Sequence, residues 1–357
     1  MALPRRPRVL DIALEAGVST ATVDRVMNKR NGVSARTVTL VRQAEKRLAD
    51  PGPRNQSPSK AQSQTRKERP AKPCDLVLPS DAGLSTDSLA AAVRYYADLR
   101  ELPMRIRQVD RMNAAALAEA LHDIGRTGSS GVAFQALDHP LVTEAVEALR
   151  VKGVPTATVV SGISSSLNLR YVGLDNRGAG RTAAFLLGSF LVGAGRVAVV
   201  WSGSLSRAHE ERESGFRAFL RDEFPEIEVV DVNIGRHEPV ETLNILRQTL
   251  GEGPGYSGAY CVGAGLASLI NAVSAFPNAQ KPKIIGHNLT ENTREHLMNR
   301  SITAIIHQDM ARIAEEVVAG LADAHRVDSM IVPTIVVTRE NLNQYLDLAS
   351  LRPVAAK

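Results

Sequence analysis

Residues 9–28 read VLDIALEAGVSTATVDRVMN, and their spacing decides how the chain begins. Val9, Ile12, Ala13 and Ala16 recur along one helix face, and Gly17 fits a helix stop. Ser19 is a favourable N-cap for STATVDRVM, which sets Val23, Val26 and Met27 on one side of a second helix. Only a few residues separate the two helices, which is the geometry of a helix-turn-helix. Asn28–Gly32 reads as a loop. Ser34 then caps a third helix whose repeat runs through Val38, Val41, Ala44 and Leu48. The spacing therefore predicts a small all-α head over residues 8–50.

Charge sets this head apart. Residues 1–72 carry 16 Lys/Arg against 6 Asp/Glu, leaving 27 against 32 for the rest of a chain with 43 and 38 in all. One end is built to meet a polyanion. Residues 51–72, PGPRNQSPSKAQSQTRKERPAK, are polar and basic with almost no large apolar group, and read as a linker.

From Cys74 onward short apolar runs alternate with amphipathic stretches. The runs are CDLVLP, MRIRQVD, GVAFQA, PTATVV, YVGLD, RVAVVW, IEVVDV, GAYCV, KIIGH and ITAIIH. Helices are expected around 87–101, 113–124, 140–150, 208–222, 238–250, 264–274, 291–299 and 309–323, with a last strand near 330–337. This alternation predicts a two-lobe α/β domain of doubly wound parallel sheets over 73–350. Its first lobe would take about 73–174 and 304–332, its second about 175–303 and 333–350. Ligands in such sheets bind at the carboxyl ends of strands, between the lobes.

Several classes are disfavoured. Aromatic content is 4%, too low for a stacking surface that binds single strands. Cys74 and Cys261 form no metal-spaced set, so no metal and no disulfide scaffold are expected. MALPRRPRVLDIA has no apolar run after its basic residues, so no signal peptide is expected, and the apolar stretch 183–201 is broken by Arg196 and glycines; the expected compartment is the cytoplasm, away from any membrane. There is no phosphate-binding loop and no Gly-x-Ser-x-Gly elbow, so no enzyme activity and no cofactor are expected. His287 and His307 each follow a strand; they read as polar cleft wall, with a metal or general-base pair as the competing view.

VLDIALEAGVSTATVDRVMN resembles the N-terminal signature of the lactose-repressor-like (LacI/GalR) transcription regulators. Ala16-Gly17 enter the turn, Val18-Ser19 begin the recognition helix, and Thr22-Val23, Arg25-Val26 and Asn28 complete the pattern. Asp24 stands where a serine is usual. The likeness continues in VGLDNRGAGRTAAFLL, in the Arg-x-x-Gly-aromatic segment at Arg212–Phe216, in IIGHNLT and in ITAIIHQD. It implies a periplasmic-binding-protein-like type I effector domain similar to sugar-binding proteins. Two departures stand out. Gly263-Ala264 replaces the family's usual Asn-Asp, and the linker has Pro53, Pro58 and no leucine between Leu48 and Leu76, so a standard hinge helix in the minor groove is not expected.

The candidate DNA face is Ser19, Thr20, Ala21, Thr22 and Arg25, with small polar residues at the end of the helix that enters the major groove. Ser19 serves as a cap with or without a phosphate contact, and Arg25 reaches phosphate or a base edge unless it is merely solvated. Asn28, Arg30 and Arg36 are candidate phosphate contacts. For the effector, the resemblance implies that Arg212 donates to ligand oxygens and that Asn288 holds the family's carboxylate position. Gln308 matches the family's glutamine. Asp87 and Asp138 follow first-lobe strands and are weaker candidates, and Asp175 is expected to brace the crossover. Many donors and acceptors with one formal charge fit a neutral sugar or polyol better than a dianion; a carboxylated or phosphorylated sugar stays open, since Arg212 would accept either. The partners expected are double-stranded DNA with a pseudo-palindromic operator and a second copy of the chain as a homodimer. The competing view is an architectural DNA binder whose large domain only dimerises, and a third is an enzyme with an added head.

Overall fold

Helical and strand periodicities translate into two separate units in the computed structural model, which divides at Arg66 and Lys67. It describes residues 20–28, 30, 37–39, 41–42, 45–46, 72–80, 82–164, 167, 169–191, 193–201, 206–234, 239–251, 255–277, 280–323 and 328–345. The expected first helix at 9–17 and the linker at 51–71 lie outside these residues.

In the first unit, helix α1 spans Thr20–Met27. Val23 and Val26 are buried, as the three-residue spacing requires, and so is Val41 in the helical stretch that follows. Burial of one face leaves Arg25 exposed.

The second unit holds two six-stranded sheets. The first is built from β1 (Cys74–Pro79), β2 (Met104–Val109), β3 (Val132–Phe134), β4 (Thr156–Val159), β5 (Arg170–Leu174) and β11 (Met330–Val332), in the order β11-β5-β4-β3-β1-β2. All its pairings are parallel, with Cys74 opposite Met104 and Val77 opposite Phe134. Side chains alternate across the sheet. Leu76 and Leu78 pack with Leu89 and Val93 of α2 (Leu84–Leu99) and Ile313 and Val317 of α10 (Met310–Ala322). Val77 faces the other side, with Leu117 and Leu121 of α3 (Ala114–Thr127) and Val142 and Val146 of α4 (Pro140–Val151). A strand buried on both faces has to be apolar throughout, and CDLVLP nearly is. Its exception, Asp75, is fully buried and held by Arg105 at 2.6 Å and Arg107 at 3.1 Å.

The second sheet takes β6 (Gly195–Trp201), β7 (Ile227–Asn233), β8 (Gly258–Cys261), β9 (Lys283–His287), β10 (Ala304–His307) and β12 (Ile335–Val337), ordered β12-β10-β9-β8-β6-β7. Helices α5 (Asn176–Phe190) and α6 (Arg207–Glu223) cover one face. Helices α7 (Pro239–Leu250), α8 (Leu266–Val273) and α9 (Glu291–Met298) cover the other. Only β12 runs antiparallel, against β10.

Two boundaries differ from the sequence reading. β10 belongs to the second sheet, not the first, so the chain returns to the first lobe after residue 307, not at 304. An apolar run of four residues carries no mark of the sheet it joins; β10 pairs with β9, the preceding strand. The single strand expected near 330–337 is two strands in different sheets. Pro333 lies between them, and its missing N–H cannot continue a ladder.

Helices α5 and α6 approach through a reciprocal glycine contact. A Cβ on Gly180 would fall on the carbonyl of Arg212, and a Cβ on Gly215 on the carbonyl of Arg177. The glycine of the Arg-x-x-Gly segment, Gly215, is thus a packing requirement against Arg177, and Gly180 is the one that admits the backbone of Arg212. Among the described residues, no helix is long and apolar enough to cross a membrane.

Candidate functional site

The carboxyl ends of β1, β2 and β3 in one lobe and of β8, β9 and β10 in the other border a cleft of about 690 Å³. Arg212, Asn288 and Gln308 line it together. Asn288 and Gln308 directly follow β9 and β10, Arg212 lies in α6, the helix after β6, and both sheets open their strand ends to the same space.

Arg212 sits early in α6 and is 3% exposed. Its Nε donates to Asn176 Oδ1 at 2.8 Å and its Nη1 to the Val262 carbonyl at 3.0 Å. Its Nη2 has no partner. Asn176 is held in turn by the Tyr171 hydroxyl, which accepts from Asn176 Nδ2 at 3.0 Å and donates to the Leu174 carbonyl at 2.9 Å. Asp175 caps the same helix by accepting from the Gly178 N–H at 2.9 Å. The crossover between lobes therefore orients the guanidinium.

Asn288 has φ of +67°, a left-handed conformation that asparagine tolerates better than most residues. Its Oδ1 accepts from Gln308 Nε2 at 2.9 Å, and its Nδ2 donates to Ser85 Oγ at 3.3 Å, joining the strand ends of the second lobe to the start of α2 in the first. Gln308 is buried, and its Oε1 is without a partner.

His287 is also buried in the cleft wall. Its Nε2 shares a hydrogen bond of 2.7 Å with the Tyr260 hydroxyl, while Nδ1 has no partner. Burial pushes the Tyr260 phenol up and the His287 imidazole down, Arg212 and His209 adding to the latter. The phenol keeps its proton and the imidazole stays neutral.

A pH dependence results. The unfolded chain protonates His287 below about pH 6.5, whereas the folded chain does not. The stability present above that pH is lost on acidification, at about 1.4 kcal/mol per pH unit for each histidine so held. The melting temperature is expected to fall between pH 7 and pH 5, and a flat profile would contradict a neutral buried His287.

Other positions fall elsewhere. Asp87 is exposed in the first turn of α2, which begins at Leu84, and Ser85 and Thr86 line the cleft in its place. Asp138 accepts from the Ser164 N–H at 3.0 Å and lines a separate surface groove beside His139. His307 turns from the cleft: its Nδ1 accepts from the Leu289 N–H at 3.2 Å, and its ring meets Tyr345. Among the described residues no group of His, Cys, Asp or Glu is arranged to hold a metal.

Sequence reasoning missed three contributors: Asn176, Ser85 and His209. His209 lies three residues before Arg212, a spacing that puts both on one helix face and was available as a signal. Its ring stands where a side chain at Gly263 would be, so the glycine in place of the family's asparagine leaves room that His209 fills. Burial, with Arg212 adding to it, pushes this imidazole down to about 3.

In the first unit Arg25, Asn28 and Arg30 are exposed, as a nucleic-acid face requires. Ser19 and Arg36 lie outside the described residues, as do the side chains of Thr20, Ala21 and Thr22.

A helix-turn-helix head followed by two parallel-sheet lobes around a cleft defines a DNA-binding regulator with a type I periplasmic-binding-protein-like effector domain. Residues 9–49 match the bacterial regulatory proteins of the lacI family, and residues 90–325 match the periplasmic binding protein domain. The chain belongs to the LacI family of transcription regulators, its larger part a member of the periplasmic binding protein domain family. No curated protein matches it in sequence. Among solved structures it is similar to a provisionally assigned LacI transcriptional regulator from Bacteroides fragilis, with 17% identity and a TM-score of 0.70 over 77% of this chain and 100% of that one. It is also similar to an ABC transporter solute binding protein from Burkholderia graminis in complex with D-arabinose (18%, 0.68, 76% and 97%). A third is a periplasmic solute binding protein from Actinobacillus succinogenes with bound D-allose (18%, 0.67, 77% and 100%). At these identities the likeness is one of fold.

Proposed function

We propose that this protein is a ligand-responsive, sequence-specific repressor of transcription that senses a sugar or polyol in the cleft between its lobes and acts by binding, not by catalysis. The observation that carries the reading is the set of buried polar atoms left without partners around one cavity: Arg212 Nη2, His287 Nδ1, His296 Nδ1 and Gln308 Oε1. Buried polar groups are nearly always paired, and a hydroxylated ligand would pair these. The two fold relatives with D-arabinose and D-allose bound support the same class. A domain that only dimerised would have no use for such a cavity, so the architectural view is the weaker one.

Calorimetry on the purified protein tests it. Some sugar or polyol binds the wild type at micromolar to millimolar strength, and Arg212→Ala weakens that binding at least about tenfold, a loss of roughly 1.4 kcal/mol. Equal binding by both proteins would remove Arg212 from the site.

The head reads DNA in pairs. One small helix-turn-helix covers a few base pairs, and its affinity comes largely from salt-screened phosphate contacts. A homodimer on a pseudo-palindromic operator in the cytoplasm supplies the second half-site, with the α/β domain as the main interface. Light scattering at micromolar concentration is expected to return twice the 38.4 kDa chain mass. A strict monomer, also when bound to DNA, would sink this.

Lobe closure on the ligand is the means of coupling, since it changes how the two heads are spaced.

A further inference from the structure

Arg212 carries a permanent positive charge inside the protein. Both of its occupied donors face neutral oxygens, the Asn176 amide and the Val262 carbonyl, and Nη2 faces none. No carboxylate pairs with it among the described residues. Its neighbour in sequence, Glu211, is bound to Arg207 at 2.7 Å. The strand ends beside it present Gly263, Ala264 and Asn288, none of them acidic. Among the described lining residues one carboxylate occurs, that of Asp110, and it is exposed. A guanidinium taken out of water is held at a cost that two hydrogen bonds to neutral oxygens offset in part and a nearby negative charge would offset further.

We propose that the effector itself supplies this anion and is a small polyhydroxylated monocarboxylate, that is, a sugar acid. The inference rests on the reading of the cleft as a sensor site and names the ligand class within it. The carboxylate takes the free Nη2, in a charge-assisted hydrogen bond stronger than one to a neutral hydroxyl. Gln308 Oε1 is an acceptor and needs a donor, which a carboxylate lacks and a hydroxyl provides. His287 Nδ1 is open to a further ligand hydroxyl, which can accept from it or donate to it, and its neutral ring adds no second charge. One anionic group and several hydroxyls therefore complete the site. A neutral sugar leaves the Arg212 charge uncompensated. A phosphomonoester dianion brings a charge that only the exposed Arg111 is placed to meet.

The test is calorimetry on the full-length protein with matched sets. These are D-glucose, D-gluconate and D-glucuronate; D-galactose, D-galactonate and D-galacturonate; D-xylose and D-xylonate; L-arabinose and L-arabinonate; and D-glucose 6-phosphate. At least one acid is expected to bind at least about tenfold more tightly than its own neutral parent. Arg212→Gln is expected to remove most of that preference, and Arg212→Lys, which keeps the charge, to retain part of it. If Arg212→Gln does not fold, the wild-type comparison between acid and parent decides alone. A neutral parent that binds as tightly as its acids, a best ligand that is the phosphate, or an acid preference untouched in Arg212→Gln overturns the sugar-acid class while leaving the sensor reading intact. Binding of none of these compounds overturns both.

Discussion

A fragment of residues 73–357 is expected to bind the protein's own DNA site at least about 10³-fold more weakly than the full chain, at the level of random DNA, a difference of about 4 kcal/mol. The reason is electrostatic before it is geometric. Affinity for duplex DNA comes largely from cations that displace counterions from phosphate. The fragment holds 27 Lys/Arg against 32 Asp/Glu, while the head and linker hold 16 against 6. The fragment also lacks α1, whose exposed Arg25 stands opposite the buried Val23 and Val26. The chain divides at Arg66 and Lys67, so this cut leaves the larger unit whole but for a few linker residues. Mobility shift on a site selected from a random pool by the full chain, at about 0.15 M salt, measures the difference. Retention of site-specific binding by the fragment would place DNA recognition in the α/β domain and overturn the assignment.

Gly180→Ala is expected to cost about 3 kcal/mol of stability, the upper end of the range for overpacking. Most overpacked sites meet a side chain that can turn away. Here the added methyl meets the carbonyl of Arg212, and backbone inside α6 cannot rotate aside. The helices have to separate, and the loss is expected to appear as a melting temperature lower by roughly 2–4 °C for each kcal/mol in a domain near this size. Separation also displaces Arg212 from Asn176 and from the cleft, so ligand affinity falls together with stability. Gly215→Ala meets the carbonyl of Arg177 and is expected to behave alike. Exposed Gly153, whose Cβ position is open, provides the control for a glycine on the surface, although its φ of +70° adds local strain. A melting temperature for Gly180→Ala within 1–2 °C of wild type, against the roughly 6 °C or more expected, would show that α5 and α6 do not meet this closely.

Much of this architecture was legible in the residues. Runs such as RVAVVW and KIIGH are too short and too apolar for surface helices, and their alternation with amphipathic stretches leaves a wound parallel sheet as the solution. Arg212, Asn288 and Gln308 could be proposed because the resemblance implied them, and their places after strands agreed with where such sheets bind. What misled was any inference from position without orientation. Asp87 and Asp138 also follow strands, but α2 starts three residues earlier than its pattern indicated, which turns Asp87 outward, and Asp138 is taken by the Ser164 backbone.

The division of labour is written in the residues themselves. A basic helical head, a polar tether and an acidic α/β body come from local periodicity and charge, which need no partner in space to be read. Folding in three dimensions settled the membership of β10 in the second sheet, the Gly180–Gly215 approach of α5 and α6, the hold of Asn176 on Arg212, and the four unpartnered polar atoms around one cavity. Each of these depends on residues far apart in the chain: Asn176 and Arg212 are separated by 36 positions, Asn288 and Ser85 by 203. Local propensity sets which element a residue enters, but which groups end up without a partner depends on everything packed around them, and that is a property of the folded chain.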